Sequence, residues 1–318
     1  MSQEKEEESQ AFLTPRQYLS VDGGIDHAGF GWAQSKLLGA AGAVFLTSVQ
    51  AAHLGSLILP NLSCEWGLEK WQVLLLLGTG SLAMTLGGLI GNFASHAFGR
   101  RRNIIGGLLL MLLFGFTSAV QRNFYCYLTL RALSFIFFQF VSSSAVCAVL
   151  EVSPTTTRLA VNTVLTLAGQ LGATCSAFLA MAALHSMGWR KLLFILYLPC
   201  LLPLIMFVML DDSPKQLIWS GKPGEGRRAM SKMFKDNNKE DVTHLITWSR
   251  SKVERRNGFR SMLTPESERT TTVLLAVMTL KNLVITTLHT AIPYILQVGV
   301  LCCFITALIY EVKKTDFN

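Results

Sequence analysis

Four groups of polar side chains sit inside long apolar runs, and these are the residues that could do chemistry. Arg131 stands between Tyr127 and Phe135. Ser48, Gln50 and His53 lie close together in one run. Asn162, Thr166 and Gln170 recur at i, i+4 and i+8, which places them along one face of a helix. Lys281 interrupts a fourth run. Guanidinium and ammonium groups attract anions, and amides and hydroxyls exchange hydrogen bonds. This set therefore suits reversible binding rather than bond breaking. No H-E-x-x-H, G-x-S-x-G or G-x-x-x-x-G-K-[ST] motif occurs. Gly78–Ala83 imitates a dinucleotide fingerprint, but no strand precedes it. The seven cysteines have no C-x-x-C spacing, so neither a metal nor a cofactor is expected. An enzyme is not expected.

Each group has a structural alternative. Arg131 could line an aqueous cavity, or lie near an interface and snorkel its head to water. Lys281 has the same two readings. Ser48, Gln50 and His53 could face a cavity or satisfy one another in helix packing. The Asn162, Thr166, Gln170 stripe must face protein or water rather than lipid, so it binds a solute or bonds between helices.

The elements that position these groups are read from hydropathy. The chain has 318 residues, is 51% hydrophobic and only 15% charged, with mean hydropathy +0.41. A soluble domain carries about 25% charged residues. Runs at Lys36–Pro60, Trp71–Ala94, Asn103–Val120, Phe124–Leu150, Leu159–Leu184 and Arg190–Leu210 are each long enough to cross about 30 Å of hydrocarbon. A basic segment, 211–270, follows and holds nearly half of the 28 Lys and Arg. The next apolar stretch, 271–310, divides at Pro293 into two spans or remains one tilted span. Residues 1–35 read as a cytoplasmic tail with an acidic start, and 311–318 as a second tail. The fold class is all-α and multi-pass: six helices, then one or two more.

Arg100, Arg101 and Arg102 follow the second run, and with the basic segment they place that side in the cytosol. The formal charge of +8 is thus a topology signal and not a sign of nucleic acid. The bilayer is the first partner. Gly87-x-x-x-Gly91 is a helix-packing motif. Asn61-Leu62-Ser63 is a glycosylation sequon at the outer end of the first run.

Several stretches carry a family resemblance. Cys64-Glu65-Trp66 after the first run, with Trp71-Gln72 entering the second, resembles the synaptic vesicle 2-related proteins and synaptic vesicle glycoproteins. Glu151, Pro154 and Arg158 match the E-x-x-P-x-x-x-R pattern of the wider organic-ion transporter group. Asp212-Ser213-Pro214-Lys215-Gln216-Leu217 resembles the E-S-P-R-x-L pattern after the sixth helix, and Gly188-Trp189-Arg190 also fits. The chain is identified as resembling the major facilitator superfamily, with an intact six-helix first half and most of the second half missing. That resemblance implies a carrier of a small organic solute, working by alternating access. It also implies gating-loop candidates at His96, Gly99, Arg100, Arg101, Glu151 and Arg158.

The chain departs from the family pattern G-x-x-x-D-R-x-G-R-R. His96 and Ala97 hold the Asp-Arg positions, so a His96→Asp change is expected to alter any transport rate. The acidic pair of the synaptic-vesicle relatives falls on Ser48 and Ala51, and no carboxylate remains in the first three runs. Phe135, Phe137 and Gln139 replace small residues of R-x-x-x-G-x-G-x-G, and bulky groups there are expected to hold helices apart. These losses support a second reading: a family member that no longer transports and acts as a receptor or trafficking partner in a vesicle membrane. The expected location is the plasma membrane or a secretory or synaptic-type vesicle. Self-association is an option, because six helices need a partner to rock against.

Overall fold

The computed structural model describes residues 20–246, together with Val273, Val277, Leu280 and Val284. Lys281 and most of 271–310 lie outside the described residues. Helices account for the ordered structure: α1 (Val21–Ala28), α2 (Trp32–Leu57), α3 (Leu59–Trp66), α4 (Lys70–Phe98), α5 (Arg100–Val120), α6 (Phe124–Val152) and α7 (Arg158–Met187). They are followed by α8 (Trp189–Tyr197), α9 (Leu201–Met209), α10 (Pro214–Trp219) and α11 (Pro223–Asp236). Six helical segments among the described residues are long and apolar enough to cross a membrane, the sixth being α8 and α9 joined by a 3-10 turn at Leu198–Cys200.

Local chemistry sets the ends. Gly31 begins α2, with its N–H donating to the Gln34 side chain at 3.1 Å. The first span therefore starts at Trp32, ahead of the purely apolar run. It ends at Leu57, short of Pro60, and that proline falls in the first turn of the separate helix α3, where its missing N–H costs nothing. The helix stops at Gly67, which adopts the left-handed conformation. Gly99, at φ +93°, separates α4 from α5.

The most extensive helix pairs are α2 with α7, α4 with α6, and α5 with α6. Glycines make the first two close. A Cβ on Gly172 would stand 1.9 Å from the Leu46 carbonyl oxygen, and one on Gly87 would stand 2.1 Å from that of Ile136. Gly91 likewise lies against the backbone of Phe140, so the Gly87-x-x-x-Gly91 motif does pack. The bulky residues of α6 do not hold α4 away, contrary to expectation. The small residues are supplied by the other helix: Gly80 receives the Phe135 ring and Gly88 receives Gln139.

One apolar cluster fills the bundle near α3, around Leu54, Ile58, Tyr127, Leu196 and Tyr197. A second fills the end nearer the arginines, around Val44, Ile104, Val141, Leu165 and Phe207. A third lies beyond the spans, where Ile25 and Ala28 of α1 meet Met230, Met233 and Phe234 of α11. Helices α1, α10 and α11 thus cap the basic end of the bundle. The faces of α4 and α7 are the least covered of the six spans.

Candidate functional site

The bundle interior is organised by Arg131, which is 2% exposed and projects from α6 towards α2 and α8. Its Nη1 donates to the Tyr197 hydroxyl at 2.6 Å, and its Nη2 to the Ala51 carbonyl at 2.9 Å. Ser134 and Tyr197 share a hydrogen bond of 2.9 Å, which holds the phenol in place. The guanidinium lies over the Phe135 ring, 4.6 Å from its centre. Its Nε has no hydrogen-bond partner among the described residues. The close approach to α2 requires Gly55, since a Cβ there would stand 2.7 Å from Nη2. A cavity of about 30 Å³ adjoins, lined among others by Gly55, Ser56, Gly80, Tyr127 and Phe135. Arg131 does not snorkel; it is buried and bonded.

Gln50 is buried and His53 half-buried. The spacing of His53 from Leu46 and Val49 puts it on the side of α2 that meets α7, whose Gly172 and Gly169 touch those residues. Ser48 is fully buried, and its hydroxyl has no partner. The helix α2 thus separates the expected cluster: Arg131 holds the carbonyl of Ala51 while His53 turns towards the seam with α7.

Asn162, Thr166 and Gln170 lie on an exposed side of α7, and Thr174 extends the stripe by one step. The hydroxyls of Thr166 and Thr174 donate back to the carbonyls of Asn162 and Gln170, each at 2.9 Å. The two amides have no hydrogen bond among the described residues. Next to them, Leu167, Leu171 and Phe178 are also exposed. The stripe runs beside the α2 seam, with an apolar face beyond it.

At the basic end Arg100 and Glu151, two of the expected gating-loop candidates, come together. Arg100 Nε donates to both Glu151 carboxylate oxygens at 3.1 and 3.2 Å, and its Nη1 to Ser95 at 2.7 Å. The Arg100 backbone N–H donates to Gln216 Oε1 at 2.9 Å, which caps α5. Arg101 Nε donates to the Phe207 carbonyl at 2.9 Å, and its guanidinium lies 3.9 Å from Asp212. Arg158 stands apart: it bonds the Ser153 carbonyl at 3.4 Å and approaches Asp22 to 3.9 Å. Asp22 also receives Lys215 at 2.7 Å. Asn237 joins the cap to the first span, donating to Gln34 Oε1 at 2.8 Å and accepting from the Ala33 N–H at 3.1 Å. A cavity of about 200 Å³ lies under this cap, between Lys36, Arg101, Phe207, Asp212, Gln216 and Lys232. In the cap, a hydrogen bond from Ser231 holds the Asp241 carboxyl below its usual range. His96 falls in the last turns of α4.

At the opposite end, Glu65 joins α3 to the start of α8 in the sixth span. It accepts from Trp189 Nε1 at 2.5 Å and pairs with Arg190 at 2.7 Å. Trp66, Tyr127 and Trp189 pack edge to face around it. Asn61 lies in the first turn of α3 and is half-buried.

The sequence reading missed Tyr197, Gln216, Asn237 and Asp22. Nothing in the pattern marks Asn237 or Asp22, and Gln216 stands in the Asp212–Leu217 stretch only at its variable position; each acts across a distance of many residues. A tyrosine within an apolar run is a weak signal for Tyr197, because a buried phenol needs a partner. Glu65 and Arg190 were both in quoted motifs, and their opposite charges could have suggested the pair.

The chain's likenesses fit this geometry. A family model described as Sugar (and other) transporter matches residues 37–299. The chain is 27% identical over 257 residues to svop-1 of Caenorhabditis elegans, covering 80% of this chain and 49% of that one. It is 26% identical over 254 residues to the synaptic vesicle 2-related protein of Xenopus laevis, covering 80% and 46%. The chain therefore spans about half the length of the curated relatives it matches. Among solved structures, the xylose transporter XylE from E. coli in a partly occluded inward-open form aligns with a TM-score of 0.57 and 18% identity. That alignment covers 67% of this chain and 56% of the other, and it supports the major facilitator fold.

Proposed function

Because the chain belongs to the Sugar (and other) transporter family, we propose that it contributes the first half of a carrier that moves a small organic solute across a membrane by alternating access. The observation that carries this reading is the stripe of Asn162, Thr166, Gln170 and Thr174 on α7. Free amides are costly against lipid and are expected to meet water or protein. A solute path beside the α2 seam accounts for them. The faces of α4 and α7 are where a second set of helices, from more polypeptide or from a second copy, completes the carrier.

In this reading the basic end, with Arg100–Arg102 and the α1, α10 and α11 cap, faces the cytosol. Opening towards that side separates the cap from the spans, so Gln216, bonded to Arg100, and Asn237, bonded to Gln34 and Ala33, hold the closed state. The kinship with synaptic vesicle 2-related proteins favours a vesicle membrane as the location.

The test is uptake by the purified protein in liposomes, with a panel of labelled organic anions, cations and sugars. Saturable uptake of at least one solute above protein-free liposomes is expected. Failure of every solute, with none altering the melting temperature, would overturn the carrier reading and leave the receptor role.

A further inference from the structure

We infer that Arg131 forms the base of an anion site in the bundle interior, which takes one negatively charged group: the carboxylate of an organic solute or a free halide. The guanidinium is 2% exposed, yet all its hydrogen-bond partners are neutral: the Tyr197 hydroxyl and the carbonyls of Ala51 and Ala52. It enters none of the ion pairs among the described residues. A buried cation without a counter-charge is costly. Apart from Arg131 itself, no residue lining the adjoining cavity is charged.

One donor remains unused. Arg131 Nε is buried and has no hydrogen-bond partner among the described residues. Space is present as well. Gly55 and Gly80 line the adjoining cavity of about 30 Å³, and a Cβ on Gly55 would stand 3.3 Å from Nε. That volume suits one small group, since about 10–15 Å³ of such space holds a water molecule. Leu76, Leu77 and Met84 form its apolar wall, against which the hydrocarbon part of a carboxylic acid can lie. Charge, a free donor and shape thus specify a single negative charge with or without an apolar tail. The solute half of this inference rests on the carrier reading, and the binding half does not.

The test is the melting temperature of the purified full chain in lipid nanodiscs. It is measured in sodium chloride, sodium benzoate and sodium isethionate at equal ionic strength. A rise of a few degrees over isethionate is expected in chloride or in benzoate. A response to chloride alone identifies the halide, and a response to benzoate identifies the carboxylate. Arg131→Gln is expected to lose the response. Ser56→Asp supplies a fixed carboxylate at a residue that lines the same cavity, so it is expected to fold and also lose the response, which keeps the test valid if Arg131→Gln does not fold. Equal melting in all three salts, or an undiminished response in Ser56→Asp, would overturn the inference. Liposome uptake of a neutral or cationic solute without any anion response would remove this inference and leave the carrier reading standing.

Discussion

Arg100 and Glu151 tie the turn between α4 and α5 to the last turn of α6. Nε donates to both carboxylate oxygens at 3.1 and 3.2 Å. The side chains are 6% and 14% exposed, so the pair is desolvated and each charge depends on the other. Glu151→Ala is therefore expected to cost about 3–5 kcal/mol, because it strands a buried guanidinium. The double variant Arg100→Met with Glu151→Leu should recover most of that loss. Thermal unfolding in detergent measures both. A double variant no more stable than Glu151→Ala would contradict the account.

Gln216 supplies an acceptor at the start of α5, in a turn that lacks the family's aspartate. Its Oε1 receives the Arg100 N–H at 2.9 Å. Gln216→Leu should destabilise by about 1 kcal/mol, the usual value of a helix cap. Gln216→Glu places an anion at a helix N-terminus beside arginines and should stabilise by about 0.3–1 kcal/mol. Melting temperatures of the two variants should therefore move in opposite directions.

The α2–α7 seam depends on Gly172. A Cβ there would stand 1.9 Å from the Leu46 carbonyl oxygen, and backbone cannot step aside as a side chain can. Gly172→Ala is expected to cost about 1–3 kcal/mol through overpacking. Gly106→Ala is the control, since nothing lies within 4 Å of the added carbon. It should gain about 0.5–1 kcal/mol from helix propensity. Equal effects at the two sites, read as melting temperatures, would refute the close crossing.

Gln170 is exposed and bonds no other described side chain, so its loss should not affect folding. In the carrier reading it donates one hydrogen bond to the solute. Gln170→Ala should then raise KM about fivefold, the equivalent of roughly 1 kcal/mol. Uptake kinetics in liposomes and an unchanged melting temperature check the two halves of this statement.

The spans were legible because burial in lipid needs long apolar runs, and six such helices stand where hydropathy puts them. Their ends were less so. Pro60 looks like a stop but sits in a first turn, where proline is harmless. The stripe on α7 was legible because its period is local, at i and i+4. The Arg131 site was legible only in part. A lone arginine in an apolar run shows itself, but Tyr197 lies 66 residues away and only packing brings it near. Phe135 and Gln139 misled because their fit depends on Gly80 and Gly88 of another helix, not on their own. The cap was the least visible, since Asp22, Gln216 and Asn237 act across distances at which sequence spacing carries no information.

The account depends on α7 presenting its polar stripe to water. Single cysteines at positions 162, 166, 170 and 174, and at 167, 171 and 178, in a cysteine-free background, test it directly. The measurement is labelling by a membrane-impermeant thiol reagent in sealed liposomes. The account predicts labelling in the first set and none in the second. No labelling at Asn162, Thr166, Gln170 and Thr174, or equal labelling of Leu167, Leu171 and Phe178, would contradict it.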